Sequence, residues 1–90
     1  MTREELLSEV IAICNRQFEI ENPDPDVDLR ETFGFDSIDG LELLIQIEKM
    51  LQTELTQEEK KQSLNMRTIN QVCDYIESIM KTRSQRQNIF

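Results

Sequence analysis

Residues 34–52 read GFDSIDGLELLIQIEKMLQ. From Ser37 onward the apolar residues recur at helical spacing, and Leu43, Leu44, Ile47 and Leu51 can line a core. Ile38, Leu41 and Ile45 then fall on a different face, together with Glu42. A stripe this wide exceeds what one packed face needs. Either the helix over 37–52 is nearly all buried, or one apolar strip is kept for a partner. Its start is well marked: Gly34 makes a turn, Asp36 or Ser37 caps the helix, and Asp39 sits near the positive end of the helix dipole.

On the N-terminal side, Leu7, Val10, Ile11, Cys14 and Phe18 predict a helix over 3–18, opened by a capping box of Thr2 and Glu5. Residues 19–36 lose the period, and Pro23 and Pro25 prevent regular helix. A loop this long is usually functional, disordered or pinned by its own apolar residues, here Val27, Leu29, Phe33 and Phe35. On the C-terminal side, Thr56-x-x-Glu59 opens a short, weakly apolar segment over 57–63. Thr68-x-x-Gln71 opens a helix striped by Ile69, Val72, Cys73, Ile76, Ile79 and Met80, ending near residue 81. Two glycines and two prolines in ninety residues argue against a turn-rich β protein. The expectation is one all-α domain over 1–81: a small four-helix bundle of three main helices and one short one, with a long loop between the first two. Residues 82–90 form a polar tail expected to fray.

The composition narrows the function. Eighteen acids against ten bases give a net charge of −8. Residues 19–48 hold ten acids and only Arg30, for a net of −9, while the rest of the chain holds eight acids and nine bases. Nucleic-acid binding relies on a basic patch and is not expected. The complement of this surface is a cationic partner. With no histidine in the chain, imidazole acid–base work, His-based nucleophilic catalysis and His-containing zinc sites are excluded. Cys14 and Cys73 lie in apolar stripes and read as buried, reduced thiols. Asp24-x-Asp26-x-Asp28 suggests a calcium loop, but Leu29 and Phe35 occupy the positions that need glycine and a bidentate glutamate, so no metal site is expected. No apolar run approaches the ~18 residues of a membrane span. MTREELLSEV is not a signal peptide, and neither terminus carries a lipidation motif. A monomer in a cytoplasmic compartment, away from membranes, is the default expectation.

Every residue of the 34–39 stretch has a structural job as turn or cap. Ser37 also has a functional reading. A phosphate ester on its hydroxyl would face free backbone N–H groups and the positive dipole end. No histidine is present to activate it, so Ser37 reads as an acceptor modified by another enzyme rather than as a catalytic nucleophile. No catalytic residues are expected, and the chain does not read as an enzyme.

At this point the chain resembles the acyl carrier proteins. The motif Asp36-Ser37-Ile38-Asp39-Gly40-Leu41-Glu42-Leu43 is similar to the family's Asp-Ser-Leu signature at the head of its second helix. The acidic helix ending Ile47-Glu48-Lys49-Met50-Leu51, the Glu58-Glu59 segment and Cys73-Asp74-Tyr75-Ile76 follow in the family's order, over roughly residues 3–81. The resemblance implies that Ser37 bears 4′-phosphopantetheine, installed from coenzyme A by a phosphopantetheinyl transferase, and that acyl intermediates ride on its thiol as thioesters. It further implies that the acidic helix docks on basic patches of acyl-transfer and synthase enzymes. The apolar contacts would be Ile38, Leu41 and Ile45, and the charge contacts Asp36, Asp39, Glu42 and Glu48. Ile38, Phe35, Gly40 and Lys49 depart from the family's commoner residues, which points to a specialised polyketide- or lipid-like pathway rather than bulk fatty-acid synthesis. A peptidyl or aminoacyl carrier, whose motif also ends Asp-Ser-Ile, is the alternative within the class. An acidic helical adaptor with no prosthetic group, in which Ser37 is only a cap, is the alternative outside it.

Overall fold

Three long helices carry the core of the computed structural model, which describes residues 1–87: α1 (Arg3–Phe18), α3 (Ser37–Leu51) and α5 (Ile69–Gln87). Between them lie the short α2 (Leu29–Phe33), α4 (Gln57–Gln62) and a 3₁₀ turn, Ser63–Asn65. The described residues contain no strand. This is the all-α bundle expected from the apolar spacing, with α2 as an addition inside the long loop.

Each helix starts where its cap chemistry dictates. Thr2 and Glu5, Asp36 and Asp39, and Thr56 and Glu59 form reciprocal capping boxes. Thr68 and Gln71 exchange the same two bonds at the head of α5. Each box satisfies two N–H groups that the helix itself leaves without partners. Glu19 and Gln52, in the left-handed region, end α1 and α3.

The core joins Leu6, Val10, Ile13 and Cys14 of α1 to Leu43, Leu44 and Ile47 of α3, and both to the apolar face of α5. Leu7, Ile11 and Phe18, expected inside, are only half-buried, because α1 turns the neighbouring Leu6–Val10–Ile13 row inward. Cys14 and Cys73 are buried free thiols, and burial pushes Cys14 up to about 11.

The loop over 19–36 is held by apolar pins and by backbone bonds to α5 and to the segment just before it. Ile20, Pro23 and Leu29 are buried. Phe35 meets Phe18 edge-on with ring centroids 5.1 Å apart. Phe33, expected to pin the loop, is 41% exposed. The Leu29 N–H donates to the Arg67 carbonyl (2.8 Å), and the Asn70 N–H donates to that of Pro25 (3.0 Å). The three loop aspartates have separate local roles. Asp24 accepts from the Asp26 N–H, Asp26 accepts from the Asn70 amide, and Asp28 caps α2.

The last helix corrects the expected boundary at residue 81. The apolar stripe ends at Met80, but α5 continues to Gln87. Its extra length is anchored by polar chemistry. The Arg83 guanidinium donates to both carboxylate oxygens of Glu59 (2.9 and 2.8 Å), to the Glu54 carbonyl (2.9 Å) and to the Thr53 hydroxyl (3.3 Å). Residues 88–90 of the expected frayed tail lie outside the described residues.

Candidate functional site

Ser37 is the first residue of α3, directly after the Asp36 cap. Two features aim it outward. Gly34, at φ 69°, ends α2 with its N–H donating to the Arg30 and Leu29 carbonyls, which turns the chain sharply. Phe35 then anchors the segment on Phe18, leaving Asp36 and Ser37 exposed. Asp36 Oδ1 accepts from the Asp39 N–H (2.9 Å), and Asp39 Oδ2 accepts from the Asp36 N–H (3.1 Å). Among the described residues, no protein group hydrogen-bonds the Ser37 hydroxyl, and the Ser37 and Ile38 N–H groups have no protein acceptor.

The two faces of α3 separate as the broad stripe allowed. Leu43 and Ile47 are buried, whereas Ile38 is 73%, Leu41 62% and Ile45 44% exposed. The strip is therefore kept at the surface. Its acids are not idle: Glu42 accepts from the Gln46 amide (3.0 Å), and Glu48 Oε2 accepts from the Leu55 N–H (2.8 Å). Glu48 thus ties the end of α3 to the following loop, so its role at any docking face is shared with a structural one. Asp36, Ile38, Asp39, Leu41, Glu42 and Ile45 cluster along the first two and a half turns around Ser37.

A groove of about 360 Å³ opens beside Ser37, between α2, α3, α4 and the 3₁₀ turn. Leu29, Leu44 and Val72 lie at its base, and the exposed Leu41 and Leu64 flank it. Gly40 forms part of the wall. A Cβ added there would approach only the Phe35 ring, at 4.0 Å. Reasoning along the chain missed one part of this site. Arg30, Lys60, Lys61 and Arg67 all line the groove, although they come from separate segments. The adjacent Lys60-Lys61 pair was the visible signal, but in a linear count it only balances the acids around it.

An exposed hydroxyl without partners, two free N–H groups beside it and an adjoining open groove fit a phosphodiester-linked arm on Ser37. The family comparison agrees with this chemistry. Residues 5–76, most of the chain, match the family described as phosphopantetheine attachment site. The chain belongs to that family, and its prosthetic group is covalent 4′-phosphopantetheine. It is a carrier protein, of a class whose domains are typically not catalysts. No curated protein matches the chain closely enough to name a relative. No described helix is long and apolar enough to cross a membrane.

Proposed function

We propose that this protein is an acyl carrier whose Ser37 hydroxyl bears the phosphopantetheine arm, working in a specialised polyketide- or lipid-like pathway. The observation that carries the assignment is the Ser37 hydroxyl itself, exposed at the head of α3 with no protein partner. When bound, the group supplies a flexible thiol on which acyl units are held as thioesters. The chain's part is to present that arm and to dock. Ile38, Leu41 and Ile45 offer apolar contact, and Asp36, Asp39 and Glu42 offer negative charge to basic surfaces of the transferase and of acyl-handling enzymes. Rim charges of this kind speed encounter without slowing release, which suits a shuttle.

Acidic residues at 39 and 42 interleaved with the exposed strip favour an acyl over a peptidyl or aminoacyl partner set. Intact mass after incubation with coenzyme A and a broad-specificity phosphopantetheinyl transferase tests the attachment. One phosphopantetheine should be gained, and none in Ser37→Ala. Residual modification of that variant would refute the residue assignment, and no gain by the native chain would favour the adaptor reading. Offering the loaded protein to a malonyl-transferring acyltransferase and to an amino-acid-adenylating enzyme separates the two carrier types. Acylation by the first alone is expected.

A further inference from the structure

Three of the chain's four phenylalanines line a single recess. Phe18, Phe33 and Phe35 meet there, between the end of α1, the end of α2 and the first turn of α3. Phe35 also lines the groove beside Ser37, so the two hollows share a wall. Phe18 and Phe35 have a packing role: they meet edge-on and lean against the core. Phe33 is the exception, for it ends α2 with 41% of its surface exposed. A lone exposed apolar residue is ordinary. This one stands at the rim of a hollow that also holds charge.

The charged residues of the recess are two acids, Glu19 and Asp39, and one base, Arg16. Asp39 gives one oxygen to the Asp36 N–H as part of the α3 cap. Among the described residues, none of the three forms an ion pair. Arg16 has a local reason for its place, since it complements the dipole in the last turn of α1. The two carboxylates are left without a cation.

The volume, about 310 Å³, suits one large side chain better than a length of chain. An aliphatic side chain entering it would strip water from Glu19 and Asp39 and return no partner, which is costly. An acidic one would meet two like charges against one Arg16. A cation is drawn both by the carboxylates and by the negative faces of the rings. Of the two long cations, the guanidinium is planar and weakly hydrated, and it stacks on a ring while its N–H groups reach a carboxylate. We propose that this recess is a docking subsite that takes an arginine side chain from the partner enzyme, stacked on Phe33 and bonded to Glu19 and Asp39. This rests on the carrier reading, in which enzymes approach Ser37. It adds a contact on the α1–α2 flank, apart from the Ile38–Leu41–Ile45 strip, and it names the side chain that enters.

The test titrates the full chain, before any modification, with the acetylated amides of arginine, lysine and norleucine at low salt, following amide and phenylalanine ring resonances. The arginine probe should bind most tightly and move Glu19, Phe33 and Phe35, and norleucine should leave them in place. Phe33→Leu, a change at the surface, should weaken the arginine probe about two- to fivefold, the worth of an exposed cation–ring contact. Glu19→Gln should weaken it as well, whereas Glu9→Gln, the same change of charge on an exposed part of α1, should not. Arg16→Gln should tighten it by removing a like charge. With the broad-specificity transferase, Phe33→Leu should raise the KM for the chain. Norleucine moving the same resonances would make the recess an apolar socket and overturn the proposal. Equal losses in Glu19→Gln and Glu9→Gln would reduce the effect to overall charge and overturn it. Weaker arginine binding in Arg16→Gln, or an unchanged transferase KM in Phe33→Leu, would overturn it too. No mass gain at all would refute the carrier reading, and the docking role with it, in a readout separate from the titration.

Discussion

At the head of α4, Thr56 and Glu59 exchange side-chain and backbone bonds; at the head of α3, Asp36 and Asp39 do the same. The resemblance ends at the next shell of contacts. Glu59 is gripped by Arg83, and the adjoining backbone is held by Tyr75, whose hydroxyl donates to the Glu59 carbonyl at 2.7 Å. Asp36 and Asp39 meet no cation among the described residues. One cap is locked, and it fixes α4 and its lysines against α5. The other is left open to solvent, with Ser37 between its two acids. The same local solution to helix initiation serves as an anchor in one place and stays accessible in the other, where the attachment site is proposed. What decides between them is whether a distant arginine closes over the cap.

The largest effect should come from opening the locked cap. The Arg83 guanidinium, assisted by hydrogen bonds from Thr56, pulls the Glu59 carboxyl down to about 2. At about 1.4 kcal/mol per tenfold change in proton affinity, that depression corresponds to about 3 kcal/mol, of which Arg83, sharing the cause with the Thr56 cap, accounts for about 2 kcal/mol. Arg83→Met should lower the melting temperature by about 8–16 °C. Ser37→Ala, in the open cap, should move it by little, because its hydroxyl makes no bond to the protein. Equal losses in thermal melts would erase the distinction between the two caps. The same pair sets a pH dependence. Glu59 holds its proton less tightly folded than unfolded, so its contribution is fully present above about pH 4.5 and is lost as pH falls toward 2. Chemical denaturation across that window should lose stability in the native chain and markedly less in Glu59→Gln.

How much of this was legible beforehand follows from the range of each interaction. Caps and apolar stripes act over three or four residues, so all the long helices and the separate Ile38–Leu41–Ile45 strip could be read from spacing, while spacing left open whether that strip is buried or exposed. The one-turn α2 is too short to show a period, and it depends on the Asp28 cap and on Leu29 finding the core. Arg83 acts 24 residues away, on Glu59, beyond any local pattern, which is why α5 outruns its apolar stripe. The basic groove is the same kind of feature. Its cations are dispersed along the chain and meet only in the fold.

A middle-sized effect should come from the cap residues themselves. Asp36→Ala removes the acceptor for the Asp39 N–H and should cost about 1 kcal/mol, read as a melting shift of about 4–8 °C. Thr56→Ala should cost less, because Arg83 and Tyr75 still hold the start of α4 when the threonine oxygen is gone. If the threonine change proved the more damaging, the lock would lie in the cap and not in the arginine. Gly40→Ala, one turn into α3, should raise stability by about 0.5–1 kcal/mol, since the added methyl enters open space.

The smallest effect separates attraction from repulsion. The acids of residues 19–48 lie at or near the surface with Arg30 as the only base in that stretch, so added salt should relieve their mutual repulsion. The Arg83–Glu59 pair is an attraction that salt weakens, though its side chains are only 20% and 13% exposed and are therefore poorly screened. The native chain should show the difference of the two, a rise of about 1–3 °C in melting temperature between low salt and 0.5 M sodium chloride at neutral pH. Arg83→Met has no such attraction to lose and should gain more from the same salt. Glu42→Lys, which lessens the negative charge of α3, should gain less. A native melting temperature that stayed flat or fell on screening, with the same response in both variants, would mean that these acids are satisfied locally by caps and side-chain amides. The open cap would then owe its accessibility to geometry alone, and the charge of α3 would be left without a role in docking.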